Sequence, residues 1–515
     1  MKYILIIEFI INSILLLWFH MHMFQLNSYF FKKNMHWMKK NKTKIIIQFL
    51  LIAISSAFAL IGSTWASIIG AIGLGVSILY NFPKGKKKIP LKLTSRVKRM
   101  FTTELILIIL GMFIMGIQNY ILEKLAIVNV VSLFLCMIAN IINSPIEAMV
   151  RQWYINDAKK ILKSCPNLII IGVTGSYGKT SVKNFLGKTL SAKYEVLVTP
   201  KNYNTTMGVV RTIRENLKST HQIFVCEMGA TKVGDIKEIC DLVKPTYGVV
   251  TSIGPQHLES FKSIENVIKT KLELADSVKA NGGTIFLNCD NEYLKKQNLD
   301  MDVIKYGVND ESLDYYGYNL ESSEKGVSFN VKDANGKGIL FTTQAIGRYN
   351  IVNIMAAIAV ANKLGVKLES MVSRVREIKN VDHRLQLLNK GGINVIDDSY
   401  NSNPVSSKSA IDTLGEFKGT KIIVTPGLIE LGDKEDQYNF ELGEYITKVC
   451  DYVFLVGKSH SKKILEGIQS KKYPEDKVFV VESPQEAMQK IVTLGIKDKI
   501  TVLLENDLPD NYNVK

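Results

Sequence analysis

The chain has 515 residues, too many for one core at roughly 150 residues per domain, so about three domains are expected. Its formal charge of +16 would suit a nucleic-acid binder, but the excess is confined. Residues 1–163 hold twenty of the 64 basic side chains and five of the 48 acidic ones. The rest is almost neutral, which excludes nucleic acid as the expected partner. The six cysteines (Cys136, Cys165, Cys226, Cys240, Cys289, Cys450) are scattered without paired spacing and read as reduced thiols of a cytoplasmic catalytic part.

Apolar stretches cover residues 4–23, 45–61, 65–82, 105–121 and 125–142. Each is close to the ~20 residues that a helix needs to cross a bilayer. The run 45–82 divides into two spans at a tight turn near Gly62, Ser63 and Thr64. The first stretch is not a signal peptide, having only Lys2 as basic flank, no small-residue cleavage pattern and four more spans behind it. Glu8, its one acid, reads as interfacial. Lysines 32, 33, 39, 40, 42 and 44 separate spans one and two. Lys84, Lys86, Lys87, Lys88, Lys92, Arg96, Lys98 and Arg99 separate spans three and four, and Arg151, Lys159, Lys160 and Lys163 follow the fifth. The positive-inside rule puts these segments in the cytoplasm, giving a multi-pass plasma-membrane protein with its lipid bilayer as one partner, an outside N-terminus and cytoplasmic catalytic domains.

Residues 167–173 (NLIIIGV) form a short, nearly continuous apolar run, the pattern of a buried parallel strand. Gly175, Ser176, Tyr177, Gly178, Lys179 and Thr180 follow Thr174, and a helical pattern runs over 181–190 from Ser181. Strand, glycine-rich loop and helix suit a phosphate site: backbone amides converge, the helix N-terminus adds positive potential, Lys179 adds a charge and the Thr180 hydroxyl reaches Mg²⁺. Valine stands at 173, where the strict spacing has glycine, and a plain strand-to-helix turn is the alternative. "IFVCEMGA" and "YGVVTSIGPQHLESF" end two more buried strands on Glu227 and His257, the end where such sheets bind ligands. Mg²⁺ prefers oxygen, so Glu227 is the metal candidate; His257 alone reads better as structural. In "SIENVIKTKLELADSV" an apolar stripe of helical period has Lys271 at its middle, either an inward lysine with a partner or a snorkelling one.

TGSYGKT, EMGA, SIGPQHLESF with TKLEL, AIGRYNIVN, HRLQ and DDSYNSNP occur here in the order seen in Mur ligases, over about residues 165–460. The chain most resembles the MurF branch, which adds D-alanyl-D-alanine to the UDP-N-acetylmuramoyl tripeptide. The resemblance implies ATP-dependent amide synthesis in peptidoglycan assembly: a carboxylate is phosphorylated to an acyl phosphate, ADP leaves, and an amine attacks. By motif, Lys179 would hold the β- and γ-phosphates, Thr180 and Glu227 one Mg²⁺, and Glu227 with His257 a second. Lys271 matches a carbamylated lysine, whose carbamate would supply acceptor oxygens where a bare ammonium would repel the metal. Asn204 matches a residue near the γ-phosphate and Asn353 one near adenine, with Asn288 a further ATP candidate. Tyr349 stands where relatives often carry histidine. Arg384 and Asp398 match residues of a C-terminal domain that closes over the nucleotide.

The chain departs from MurF at both ends. Five spans stand where such enzymes carry a uridine-diphosphate-binding domain, and "VLLENDLPDNY" stands where they carry Lys-Gly-Ser-Arg. Thr425, Pro426 and Gly427 before "GLIELGD" vary as well. The expected architecture is a transmembrane domain over 1–150, a basic linker over 151–163, an α/β ATP-binding domain over 164–345, and a Rossmann-like α/β domain over 346–515. Expected partners are a peptide-bearing cell-wall precursor, an amino-acid or dipeptide amine, and other envelope enzymes. A poly-γ-glutamate-type or other lipid-linked or polymeric substrate is the alternative ligase reading, and a non-catalytic ATP-binding scaffold the alternative of another class.

Overall fold

The computed structural model describes residues 1–82, 89–116, 120–256, 258–333, 336–400, 402–457 and 461–507. His257 and the basic positions Lys84, Lys86, Lys87 and Lys88 lie outside the described residues. The chain divides into two units, one over Met1–Trp153 and one over Tyr154–Asp507.

The first unit is helical: α1 (Lys2–Leu26), α2 (Phe31–Lys40), α3 (Lys42–Leu60), α4 (Thr64–Asn81), α5 (Ser95–Ile114), α6 (Ile121–Ser132) and the start of α7 (Leu135–Lys163). Its polarity is inverted. Ile7, Ile10, Ile14, Ile72, Leu79, Ile109 and Phe113 are exposed, whereas Asn12, Gln48, Ser77 and Asn129 are fully buried. Asn12 Nδ2 donates to Asn129 Oδ1 at 2.7 Å, Ser77 Oγ to Asn12 Oδ1 at 3.1 Å, and Gln48 Nε2 to Asn81 Oδ1 at 2.7 Å. Apolar surfaces outside and polar side chains as interhelical ties are what a lipid solvent selects. The turn at Gly62–Thr64 is present: Ser63 caps α4 by accepting from the Ala66 amide, and Gly62 has φ +82°.

Three helices, α1, α3 and α4, are long and apolar enough to cross a membrane, or four spans if the bent pair α6 and α7 counts as one. Of the five stretches expected to span, α1, α3 and α4 match three, and the other two do not form single straight helices of spanning length among the described residues. Over 105–121 the apolar helix stops at Ile114, and 117–119 lie outside the described residues. The first half of α5 carries Arg96, Lys98, Arg99 and Glu104, which leaves too short an apolar run. Over 125–142 the helix breaks and bends by 70° between α6 and α7. Ser132 Oγ donates back to the Val128 carbonyl at 2.7 Å just before the break, a contact that loosens the helical ladder.

The second unit holds two sheets. The first contains β1 (Ile169–Thr174), β2 (Val196–Val198), β3 (Ile223–Glu227), β4 (Tyr247–Val250), β5 (Thr284–Asn288), β6 (Asp302–Gly307), β7 (Tyr315–Ser323), β8 (Gly326–Lys332) and β9 (Gly338–Thr343) in the order β2-β3-β1-β4-β5-β6-β7-β8-β9. Strands β1 to β6 pair in parallel, and β7 to β9 add an antiparallel meander. Helices α8 (Lys179–Leu190), α9 (Thr206–Asn216), α10 (Asp235–Val243), α11 (Leu258–Phe261), α12 (Ile264–Ala280), α13 (Glu292–Lys295), α14 (Tyr349–Lys363) and α15 (Leu368–Arg376) go with this sheet. One face carries α8 and α14, the other α9, α10 and α12.

The second sheet has the order β10-β11-β15-β12-β13-β14, from β10 (Gln386–Lys390), β11 (Ile393–Asp398), β12 (Thr420–Thr425), β13 (Tyr452–Val456), β14 (Val478–Val481) and β15 (Ile500–Glu505). It is parallel apart from the hairpin β10–β11, and α16 (Pro404–Gly415), α17 (Glu435–Ile446), α18 (Lys462–Ser470) and α19 (Pro484–Thr493) cover it.

Two expected boundaries fall elsewhere. Helix α14 is apolar almost all round and packs with α8 on the first sheet, so the change of sheet comes after α15 and not at 345/346. The 151–163 stretch is the end of α7, with Ile155 and Ala158 buried in the second unit's core against Val209, Ile213 and Ile239. Arg214 locks that end by pairing with Asp157 at 2.6 Å.

Candidate active site

The loop between β1 and α8 needs glycine at two places. Gly175 has φ +152°, and a Cβ there would lie 2.1 Å from Thr251 Oγ1. Gly178 has φ +83°, and a Cβ there would lie 2.7 Å from Asn353 Oδ1. The residues after β4 brace the loop: Ser176 N donates to Ser252 O at 2.8 Å, Tyr177 N to Ser252 Oγ at 3.0 Å, and Ser176 Oγ to Gly254 O at 3.0 Å. Asn288 Nδ2 donates to Thr251 O at 2.9 Å and so supports this brace from β5.

Lys179 opens α8 and folds back, donating to Gly175 O at 2.5 Å and Ser176 O at 3.0 Å. Burial pushes its ammonium down to about 8, against the attraction of Glu227. Glu227, at the end of β3 and 1% exposed, accepts on Oε1 from Thr180 Oγ1 at 3.1 Å and from Asn204 Nδ2 at 3.0 Å. Its Oε2 lies 2.8 Å from Lys183 Nζ, itself 1% exposed. Burial alone would raise the Glu227 pKa, but the Lys183 charge and the hydrogen bonds from Lys183 and Asn204 bring it below the usual carboxylate value.

Lys271 lies inward on α12 and is 2% exposed, so of the two readings its place in the stripe left open it is not the snorkelling one. Among the described residues it makes no hydrogen bond or short ion pair; burial first, and the Lys179 charge second, push its ammonium well below the usual lysine range. Arg384 acts on Lys179 electrostatically from the second sheet's side, stacking over Tyr400 with 4.6 Å to the ring centroid. Asp398, the last residue of β11, accepts from the Leu385 amide at 3.1 Å, and burial pushes its carboxyl up to about 7 against the pull of Arg384. Ser181 follows in the first turn of α8, and half-buried Tyr349 feels both Asp398 and Arg384.

The structure therefore brings together the loop Gly175–Gly178, Lys179, Thr180, Glu227, Asn204 and Asn353, with Arg384 in electrostatic reach. Asn288 meets the brace behind the loop instead of the loop itself, and His257 lies outside the described residues. Sequence reasoning missed the brace Thr251–Ser252 and Lys183. The signal for Lys183 was its spacing, one helical turn after Lys179 on the same side of α8.

Comparison with known proteins fits this geometry. The Mur ligase middle domain family matches residues 173–361, and the Mur ligase glutamate ligase domain family matches residues 383–505. A protein of Buchnera aphidicola named UDP-N-acetylmuramoyl-tripeptide–D-alanyl-D-alanine ligase is 31% identical over 66% of this chain and 75% of its own length. The chain belongs to the Mur ligase family. Another Mur ligase relative, the Bacillus subtilis protein of the same name, is 32% identical over 56% of this chain, which spans 63% of that relative's length. A solved Mur ligase, MurF of Thermotoga maritima in complex with ADP, is 25% identical with a TM-score of 0.61, covering 70% of this chain and 81% of that one. The boundary between the two matched Mur ligase domains falls between 361 and 383, in agreement with α14 packing on the first sheet.

Proposed function

We propose that this chain is an ATP-dependent ligase that forms an amide bond through an acyl phosphate, in the manner of the MurF relatives, and that its N-terminal helices anchor it in the plasma membrane. The observation that carries the reading is the braced glycine loop with Lys179 and Thr180 beside buried Glu227. The loop amides, the α8 N-terminus and Lys179 take the triphosphate of ATP. Asn204 sits toward the γ-phosphate, Asn353 toward the base, and Asn288 holds the loop's brace. The donor set suits Mg²⁺, since Glu227 and Thr180 offer hard oxygens. Among the described residues no group of three acidic, histidine or cysteine side chains gathers, and Glu227 with Thr180 would hold the ion beside the nucleotide. His257 and Lys271 are the further ligands in this reading. The magnesium ions, one or two, supply neutralising charge around the phosphoryl group.

Lys271 fits carbamylation on chemical grounds. Only the neutral amine attacks CO₂, and its buried setting disfavours the ammonium. Conversion to a carbamate also relieves its repulsion with Lys179. Arg384 approaches the phosphate loop from the second sheet and neutralises charge on the transferring group, while Asp398 holds the turn that carries Arg384 through the Leu385 amide.

The relatives' names give the substrates proposed here, UDP-N-acetylmuramoyl tripeptide and D-alanyl-D-alanine. The apolar N-terminal helices favour one second reading, a lipid-linked or polymeric carboxylate acceptor met at the membrane, where anchoring raises effective concentration. With α1, α3 and α4 as the three spans, the positive-inside rule would put the catalytic domains on the cytoplasmic side. The test is phosphate release from ATP by the full-length chain in detergent with Mg²⁺ and bicarbonate, each substrate added alone and then both. Turnover only with both, with a pentapeptide by mass spectrometry, is expected. Turnover only with a lipid-linked tripeptide selects the second reading. ATP binding without turnover on any tested carboxylate overturns the ligase reading.

A further inference from the structure

Lys183 was absorbed by no motif, yet it is among the largest fully buried side chains of the protein. Its Nζ has two partners on different segments. One is Glu227 Oε2 at 2.8 Å; the other is the carbonyl of Lys201 at 2.7 Å, in the loop between β2 and α9. Lys201 has φ +45°, a left-handed conformation that a residue with a Cβ adopts at a cost. A buried ammonium on its carbonyl offsets that cost.

The same loop grips the end of β3 at further points. Thr199 Oγ1 accepts from the Glu227 amide at 3.1 Å, Asn204 Nδ2 donates to Glu227 Oε1 at 3.0 Å, and Asn204 O accepts from the Gly229 amide at 2.7 Å. Between these points Asn202 is exposed and reaches across to the second sheet's side, donating from Nδ2 to the Tyr400 hydroxyl at 2.7 Å. Tyr400 is the ring under Arg384. A continuous set of contacts thus leads from Glu227 through Lys183, Lys201 and Asn202 to Tyr400 and Arg384.

The two carboxylate oxygens of Glu227 are divided between different holders. Oε1 faces Thr180 and Asn204, and Oε2 faces Lys183. A cation taken at Oε1 competes with the Asn204 amide, since a donor hydrogen and a cation cannot share one lone-pair direction. It leaves Oε2 with Lys183. Glu227 is therefore held against rotation while the occupant of its other oxygen changes, and the change is felt in the loop that carries Asn204 and Asn202.

We propose that Lys183 is a positioning residue that fixes Glu227 for a divalent cation and ties that event, through the 199–204 loop and Asn202, to Tyr400 and Arg384 on the C-terminal domain. The proposal rests on the reading of Glu227 as a metal ligand. Its test uses the full-length chain in detergent with ADP and Mn²⁺, bound Mn²⁺ being read by electron paramagnetic resonance. Lys183→Met is expected to weaken Mn²⁺ binding at least tenfold while ADP affinity without metal changes less than twofold. Asn202→Ala, on an exposed residue outside the phosphate loop, is expected to leave Mn²⁺ affinity within twofold. It should also abolish the slowing of hydrogen exchange over residues 398–407 that Mn²⁺ with ADP produces in the unaltered chain. If the unaltered chain binds no Mn²⁺ with ADP, the reading of Glu227 as a metal ligand falls. If it does, and Lys183→Met matches it within twofold, the positioning role alone is refuted. Retention of the exchange response in Asn202→Ala refutes the coupling to the C-terminal domain.

Discussion

Asp398→Asn tests the electrostatics of the second sheet. Asp398 ends β11 and is the register partner of Glu505 at the end of β15, both buried. Glu505 is held by the hydroxyls of Ser402, Ser407 and Thr425. Burial first, then the neighbouring Glu505 and Asp397, raise Asp398 from 3.8 to about 7, and Arg384 opposes them. The folded chain consequently holds a proton between those two values that the unfolded chain has released. Stability falls as pH rises from about 4 and levels off above 7. The loss is on the order of a few kcal/mol and falls mostly between pH 5 and pH 7. Asparagine keeps the acceptor for the Leu385 amide and cannot ionise. All four tryptophans (Trp18, Trp37, Trp65, Trp153) lie in the first unit, so fluorescence would miss the effect. Hydrogen exchange of β11 and β15 amides, corrected for intrinsic pH dependence, reads it directly. Asp398→Asn should flatten the pH slope and be the more stable form at pH 8. An unchanged slope would show that Asp398 is not the group that titrates.

Gly178→Ala places a side chain at φ +83° and should cost about 1–2 kcal/mol, lowering ADP affinity roughly 5- to 30-fold by calorimetry. Glu227→Leu strands the Lys183 charge in a dry site and should destabilise β3 by about 3–5 kcal/mol in hydrogen exchange. Adding Lys183→Met to Glu227→Leu should recover most of that loss; additive losses would mean the two do not interact. Asn12→Leu cuts the interhelical ties to Asn129 and Ser77 and should cost roughly 0.6–2 kcal/mol in unfolding from bicelles.

The local parts of the fold were legible because their causes are local. Periodicity placed Lys271 on the apolar stripe of α12, and the glycine pattern placed the loop between β1 and α8. Hydropathy averages registered neither the end of α5 at Ile114 nor the bend after Ser132. The place where the chain leaves the first sheet was not legible near 345. Only the burial of α14 on all sides shows which sheet it serves. Thr251 and Ser252 could not be read as a brace, because hydroxyl residues at a strand end mean nothing until the neighbouring strand fixes what lies opposite. Lys183 needed Glu227 and Lys201 brought beside it from distant segments.

Strand β1 and the matched Mur ligase domains begin at residues 169 and 173, and a fragment cut there would look complete by sequence. It would not be. Removing the last turns of α7 would strip Ile155 and Ala158 from the apolar cluster that holds Val209, Ile213 and Ile239, and deprive Arg214 of Asp157. Such a fragment would expose a sticky apolar stripe. Its insolubility would then be a wound left by the cut, and no measure of the apolar helices that precede it.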